Sequence, residues 1–127
     1  MLIPRTEYGP INGINYAFAW SNDVLQAYLL SDVGKKRKNN EDSCILCAPA
    51  DDQIAEERGI LFGVADGMGG ASAGEYASRM ALCIVAETYY SGPLKPVPAA
   101  LNEAVGRANE RIFDEADLNP AFAGMGT

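Results

Sequence analysis

The chain of 127 residues contains no histidine. That absence excludes Ser-His-Asp and Cys-His nucleophile systems, histidine-ligated zinc hydrolysis and phosphohistidine chemistry from this stretch. Cysteine is scarce and odd in number: Cys44, Cys47 and Cys83. An odd set suits a reducing compartment better than a disulfide framework. Cys44 and Cys47 form a C-x-x-C, but in a strand such positions point to opposite faces, so core packing is the better reading. No cysteine has an arginine six positions on, which removes cysteine-dependent phosphatase chemistry. Long apolar runs are missing too. Residues 1–10 have no signal-like apolar segment, and 14–20 is interrupted by Asn15; a cytoplasmic location is expected. Basic residues are outnumbered ten to seventeen, leaving a net charge of −7. Such a field repels nucleic acid and anionic membranes. Four of those ten, Lys35, Lys36, Arg37 and Lys38, are consecutive.

What is present is enough for one small core and too little for two domains. Residues 1–13 carry prolines and glycines without periodicity and read as a loose arm, extended to residue 23 if 14–20 is not an edge strand. Strands are expected over 24–31, 42–48 and 60–65, with a polar connector at 35–40 and a solvated acidic loop at 49–59. Ser72 and Glu75 have the spacing of a capping box. The helix behind it carries Ala77, Met80, Ala81, Ile84, Val85 and Thr88 on one face. Gly92-Pro93 ends it, and a second helix starts near Ala99 with Leu101, Val105, Ala108 and Ile112 aligned. Strands first and helices afterwards indicate an α+β fold.

The most informative stretch is Ile60-Leu61-Phe62-Gly63-Val64-Ala65-Asp66-Gly67-Met68-Gly69-Gly70. An apolar strand delivers one carboxylate to a glycine-rich turn whose main chain can approach a ligand closely. Upstream, Asn40-Glu41-Asp42 adds two carboxylates and Arg37 a guanidinium. Asp66, Glu41, Asp42 and the Gly67 carbonyl form an all-oxygen set suited to one or two Mg²⁺ or Mn²⁺ ions. A pair of such ions makes hydroxide available at neutral pH, and Arg37 matches phosphate oxygens bidentately. Together they equip the chain to hydrolyse a phosphate ester without a covalent intermediate. Singly, each has an ordinary reading: a strand-end Asp-Gly as a turn, Asn-Asn-Glu-Asp as a solvated loop, Arg37 among lysines as hydrated surface. A nucleotide-binding loop is disfavoured because Glu75 stands where a phosphate-binding lysine belongs.

In order along the chain, Ser31-Asp32-x-Gly34-x-x-Arg37-x-x-Asn40-Glu41-Asp42, Val64-Ala65-Asp66-Gly67-Met68-Gly69-Gly70, Ala73-Gly74-Glu75 and Gly124-Met125-Gly126-Thr127 resemble the protein phosphatase 2C family of metal-dependent protein serine/threonine phosphatases, in its bacterial form. The resemblance implies the N-terminal half of a sandwich of two antiparallel sheets flanked by helices, over residues 24–127 behind an N-terminal arm of 1–23. It implies hydrolysis of phosphoserine and phosphothreonine in proteins with two Mg or Mn ions. Asp66 would bridge both ions and the Gly67 carbonyl would ligate one. Glu41 and Asp42 would hold metal-bound waters, and Arg37 would grip the substrate phosphate. Met68 stands where many eukaryotic members carry a histidine, and a thioether cannot donate a proton. Phosphorylated proteins are the implied partners, with a serine/threonine kinase acting in opposition. The family's later aspartate motifs, in Gly-Asp-Ser-Arg-like, Asp-Gly and Asp-Asn segments, are not found within residues 1–127. The chain by itself is therefore expected to be inactive, and to leave sheet faces and edges uncovered. The alternative is a non-catalytic phosphatase-fold module that regulates or binds.

Overall fold

The computed structural model describes residues 5–70 and 72–127. Five strands and three helices occur in the order β1 (Arg5–Gly9), β2 (Tyr16–Ser21), β3 (Gln26–Ser31), β4 (Asp42–Ala48), α1 (Asp52–Arg58), β5 (Leu61–Asp66), α2 (Ala73–Tyr90) and α3 (Val97–Leu118), followed by a 3₁₀ turn at Pro120–Phe122. The strands make two antiparallel sheets, β1-β4-β5 and β2-β3. The class is α+β, with the helices stacked on one face of the larger sheet.

β4 is the centre of the molecule because nearly every residue along it is apolar. It is buried on both faces. Cys44, Leu46 and Ala48 pack with Ala27 and Leu29 of β3 and the inner aromatics Tyr16, Phe18 and Trp20 of β2. Ile45 and Cys47 pack the other way, with Leu82, Ala86, Tyr89 and Tyr90 of α2. The two cysteines thus serve two separate cores, as their spacing requires, and all three thiols are free. The helices meet through small side chains, with Ala77 and Ala81 of α2 against Ala108 and Ile112 of α3.

Several expectations are corrected. The stretch read as a loose arm is strand over Arg5–Gly9, zipped to β4 from Arg5↔Ala48 to Gly9↔Cys44; its pairing comes from the exposed edge of β4, which a local pattern cannot show. Residues 1–4 lie outside the described residues. Tyr16–Ser21 resolves as strand. The acidic loop contains the short helix α1, whose N-cap Asp51 accepts from the Ile54 amide at 3.0 Å and whose last turn closes at Gly59 in left-handed backbone, φ 70°. The capping box does not form. Ser72 has ψ 11° and makes no side-chain cap bond, whereas capping geometry needs extended backbone at that residue. Glu75 instead pairs with Arg79 at 3.6 Å. On α3 Ala104 is buried along with Ala108 and Ile112, and Val105 faces out.

β5 ends the larger sheet. Its Leu61 side is covered by α2, but Phe62 and Val64, beside Leu46 and Cys44 on the opposite face, are 44% and 80% exposed. No helix among the described residues is long and apolar enough to cross a membrane.

Candidate metal and phosphate site

The register of β4 on β5 pairs Asp42 directly with Asp66. Opposed residues in an antiparallel pair share a face, so two carboxylates far apart in sequence face each other at the sheet's end. Burial, then the charge of Asp66 and a hydrogen bond to it, raise the Asp42 carboxyl above its ordinary range, and Arg37 opposes the rise. Like charges held together on a partly desolvated surface favour a shared proton or a cation between them.

Glu41 holds the corner through its backbone. Its carbonyl accepts from the Gly67 amide at 3.2 Å and from the Ser78 hydroxyl at 2.6 Å, so β4, the turn after β5 and α2 meet at one oxygen. Ser78 is fully buried and also lies 2.9 Å from Ser43 Oγ. The Glu41 carboxylate lies 3.9 Å from Arg37, and a Cβ on Gly74 would come within 2.7 Å of it. Asn40 pins the approach to β4. It is buried, receives the Asp42 amide at 3.0 Å, and donates to Ser31 Oγ at 2.8 Å and the Ile14 carbonyl at 3.0 Å.

Around this corner opens a cleft of about 620 Å³ lined by Arg37, Lys38, Asn39, Glu41, Asp66, Gly67, Met68 and Gly69. A second recess of about 270 Å³ includes Asp32, Asn40 and Asp42 and shares Arg37, Glu41 and Asp66 with the first. The five residues singled out in the sequence therefore line two recesses that share Arg37, Glu41 and Asp66. Among the described residues, no three acidic or thiol side chains converge tightly enough to hold a metal ion. The donor set still fits a hard divalent cation in kind: every donor is oxygen, and two carboxylates face each other across the strand pair. Across the mouth, Met68 and Gly126 exchange two backbone hydrogen bonds at 2.9 Å, which anchors the Gly-Met-Gly-Thr segment beside the glycine turn.

Sequence reasoning assigned no role to Asn40, Ser78 and Gly74, which hold the acidic residues in place. Their signal is steric or polar satisfaction across elements, invisible to local pattern. Ser78→Ala leaves the Glu41 carbonyl short of a donor in a buried place, and should cost about 1–2 kcal/mol. The check is a lower urea midpoint at unchanged slope.

Two comparisons bear on what this corner is. Serine/threonine protein phosphatase PstP of Mycobacterium tuberculosis is 36% identical over 104 residues, 82% of this chain. A protein of Streptococcus pyogenes whose name describes it as protein phosphatase 2C-type is 33% identical over 107 residues, 81% of this chain. The chain belongs to the protein phosphatase 2C family. It spans 18% of the length of PstP and 40% of the streptococcal protein. No family model matches the chain, and no solved structure matches it significantly. Membership in the protein phosphatase 2C family accounts for the ordered motifs, and the two antiparallel sheets with helices against one of them agree with the implied sandwich.

Proposed function

We propose that this stretch supplies the N-terminal part of the catalytic domain of a protein serine/threonine phosphatase that works with two Mg²⁺ or Mn²⁺ ions. The observation that carries the reading is the Asp42–Asp66 pair facing into a cleft walled by Arg37. Asp66 and the Gly67 carbonyl would hold the ions directly, with Glu41 and Asp42 contributing through ordered water. Bound there, the cations would supply a water acidic enough to attack at neutral pH.

The chain's own residues do the rest by positioning. Arg37 is largely exposed on its loop, with Glu41 as a weak ion-pair partner, so its planar fork is available to two phosphate oxygens. Met68, 63% exposed in the cleft wall, packs against substrate but cannot move a proton. Protonation of the leaving serine or threonine oxygen therefore falls to solvent or to a group elsewhere. The 127-residue chain supplies a partial donor set, and by itself should bind Mn²⁺ weakly without turnover. Phosphorylated proteins are the substrates on this reading, and a serine/threonine kinase is the opposing enzyme.

The test is phosphopeptide hydrolysis by the full-length protein with and without Arg37. Arg37→Ala should mainly raise KM, because a group that grips phosphate alike in ground and transition states contributes uniform binding. The expected loss is at most about a hundredfold, the scale of one charge-assisted hydrogen-bond pair. A fall confined to kcat would assign Arg37 to the transition state; no change at all would remove it from the site.

A further inference from the structure

The loop between β3 and β4 is held at both ends and bare in the middle. At its start Asp32 accepts from the Gly34 amide at 2.7 Å, and Asn15 accepts from the Val33 amide at 3.1 Å. At its end Asn40 is buried in the hydrogen bonds described above. Between these anchors Lys35, Lys36 and Lys38 are exposed and make no ion pair among the described residues. Lys38 lines the cleft alongside Asp66, Gly67 and Met68; Lys35 and Lys36 stand on the same turn, outside it.

We propose that Lys38, with Lys35 and Lys36 beyond it, selects phosphoproteins whose phosphorylated residue is flanked by acidic side chains. The inference rests on the phosphatase reading of the cleft and names its substrate class. Two arguments favour a peptide over a larger polyanion. A net charge of −7 repels nucleic acid and anionic lipid, which sample much of the surface. A short peptide feels mainly charges within about 8 Å at physiological salt, and on the outer side of this loop those are Lys35, Lys36 and Lys38, whereas the acidic residues lie on the cleft floor. The phosphate itself would engage Arg37, leaving the lysines to read its neighbours. Cations bound at the aspartates would offset the negative charge of the cleft floor and strengthen that preference.

The experiment measures binding rather than turnover. Hydrolysis-resistant phosphonate peptides with acidic or neutral flanks, and an acidic peptide carrying unmodified serine, are titrated by fluorescence anisotropy into the full-length protein with Mn²⁺. The acidic phosphonate should bind about tenfold tighter than the neutral one at low salt, the scale of two or three exposed ion pairs, and the ratio should shrink as salt rises. In the combined Lys35→Gln, Lys36→Gln, Lys38→Gln variant the ratio should approach one, with neutral-peptide affinity retained. Lys38→Glu alone should shift preference towards basic flanks. Equal binding of both phosphonates to the parent protein, or a preference that survives removal of the lysines, overturns the inference and leaves the phosphatase reading intact. If neither phosphonate binds better than the unmodified peptide, the phosphatase reading fails and takes the inference with it.

Discussion

Asp66→Asn in the full-length protein is expected to abolish metal-dependent hydrolysis of an aryl phosphate while leaving the fold in place. Asp66 lies on the exposed face of β5, and that strand is held by its pairing with β4 and by Leu61 against α2. Removing one carboxylate takes away a ligand that, on our reading, serves both cations. Several kcal/mol of charge stabilisation would be lost, which corresponds to a rate loss of roughly a thousandfold or more. The same change should do the metal-free protein no harm. Asp42 has a raised carboxyl pKa in the folded state, from burial and from Asp66. The folded chain therefore binds that proton more tightly than the unfolded chain. This favourable contribution is complete below the ordinary carboxylate range and is lost as pH rises through Asp42's raised value. The asparagine variant removes one of two acidic groups that face each other across β4 and β5, so it should melt at an equal or higher temperature without metal. Parent-level activity at saturating Mn²⁺ would remove Asp66 from the site; a lowered melting temperature would mean that its role is structural.

Gly67→Ala should be the most damaging single-methyl change in the chain. A Cβ there would sit 2.0 Å from the Gly74 carbonyl oxygen and 2.6 Å from that of Glu41. Both obstacles are backbone, one in the first turn of α2 and one at the start of β4, so no side chain can swing aside. Relief requires pulling the turn away from the helix, which breaks the Gly67 amide's bond to Glu41. Overpacking of this kind typically costs 1–3 kcal/mol, and the lost hydrogen bond adds about 1 kcal/mol. We expect a destabilisation of about 3 kcal/mol, read as a drop in chemical-denaturation midpoint. Gly70→Ala, where nothing lies within 4 Å, is the control and should change the midpoint little. Equal effects at the two glycines would show that the close approach of turn and helix is not what Gly67 provides.

The parts of the fold that were legible in sequence are those set by one element's own side chains. Cys44–Ala48 is apolar throughout, and Asp42–Ala48 became strand over the residues expected. α2 ends at Tyr90, within two residues of the expected stop at Gly92-Pro93. What was not legible depends on a partner. Arg5–Gly9 is strand because β4 offers it an edge, and the polarity of Asp52–Arg58 hid a helix that buries none of its residues. The site divides in the same way. Asp66 and Gly67 could be singled out from a strand running into glycines. That Asp42 rather than Glu41 faces Asp66 is a matter of register, and the buried hydroxyl of Ser78 beneath Glu41 belongs to a helix far along the chain.

Because β4 sends Cys44 into the sheet-to-sheet core and Cys47 into the sheet-to-helix core, the chain carries a thiol probe in each layer. Burial pushes both thiols above the ordinary range, so each stays silent to an alkylating reagent until its own layer parts. Timed labelling of the two, read by peptide mass, would report whether the β2-β3 ribbon or the helical layer detaches first, with no foreign probe introduced.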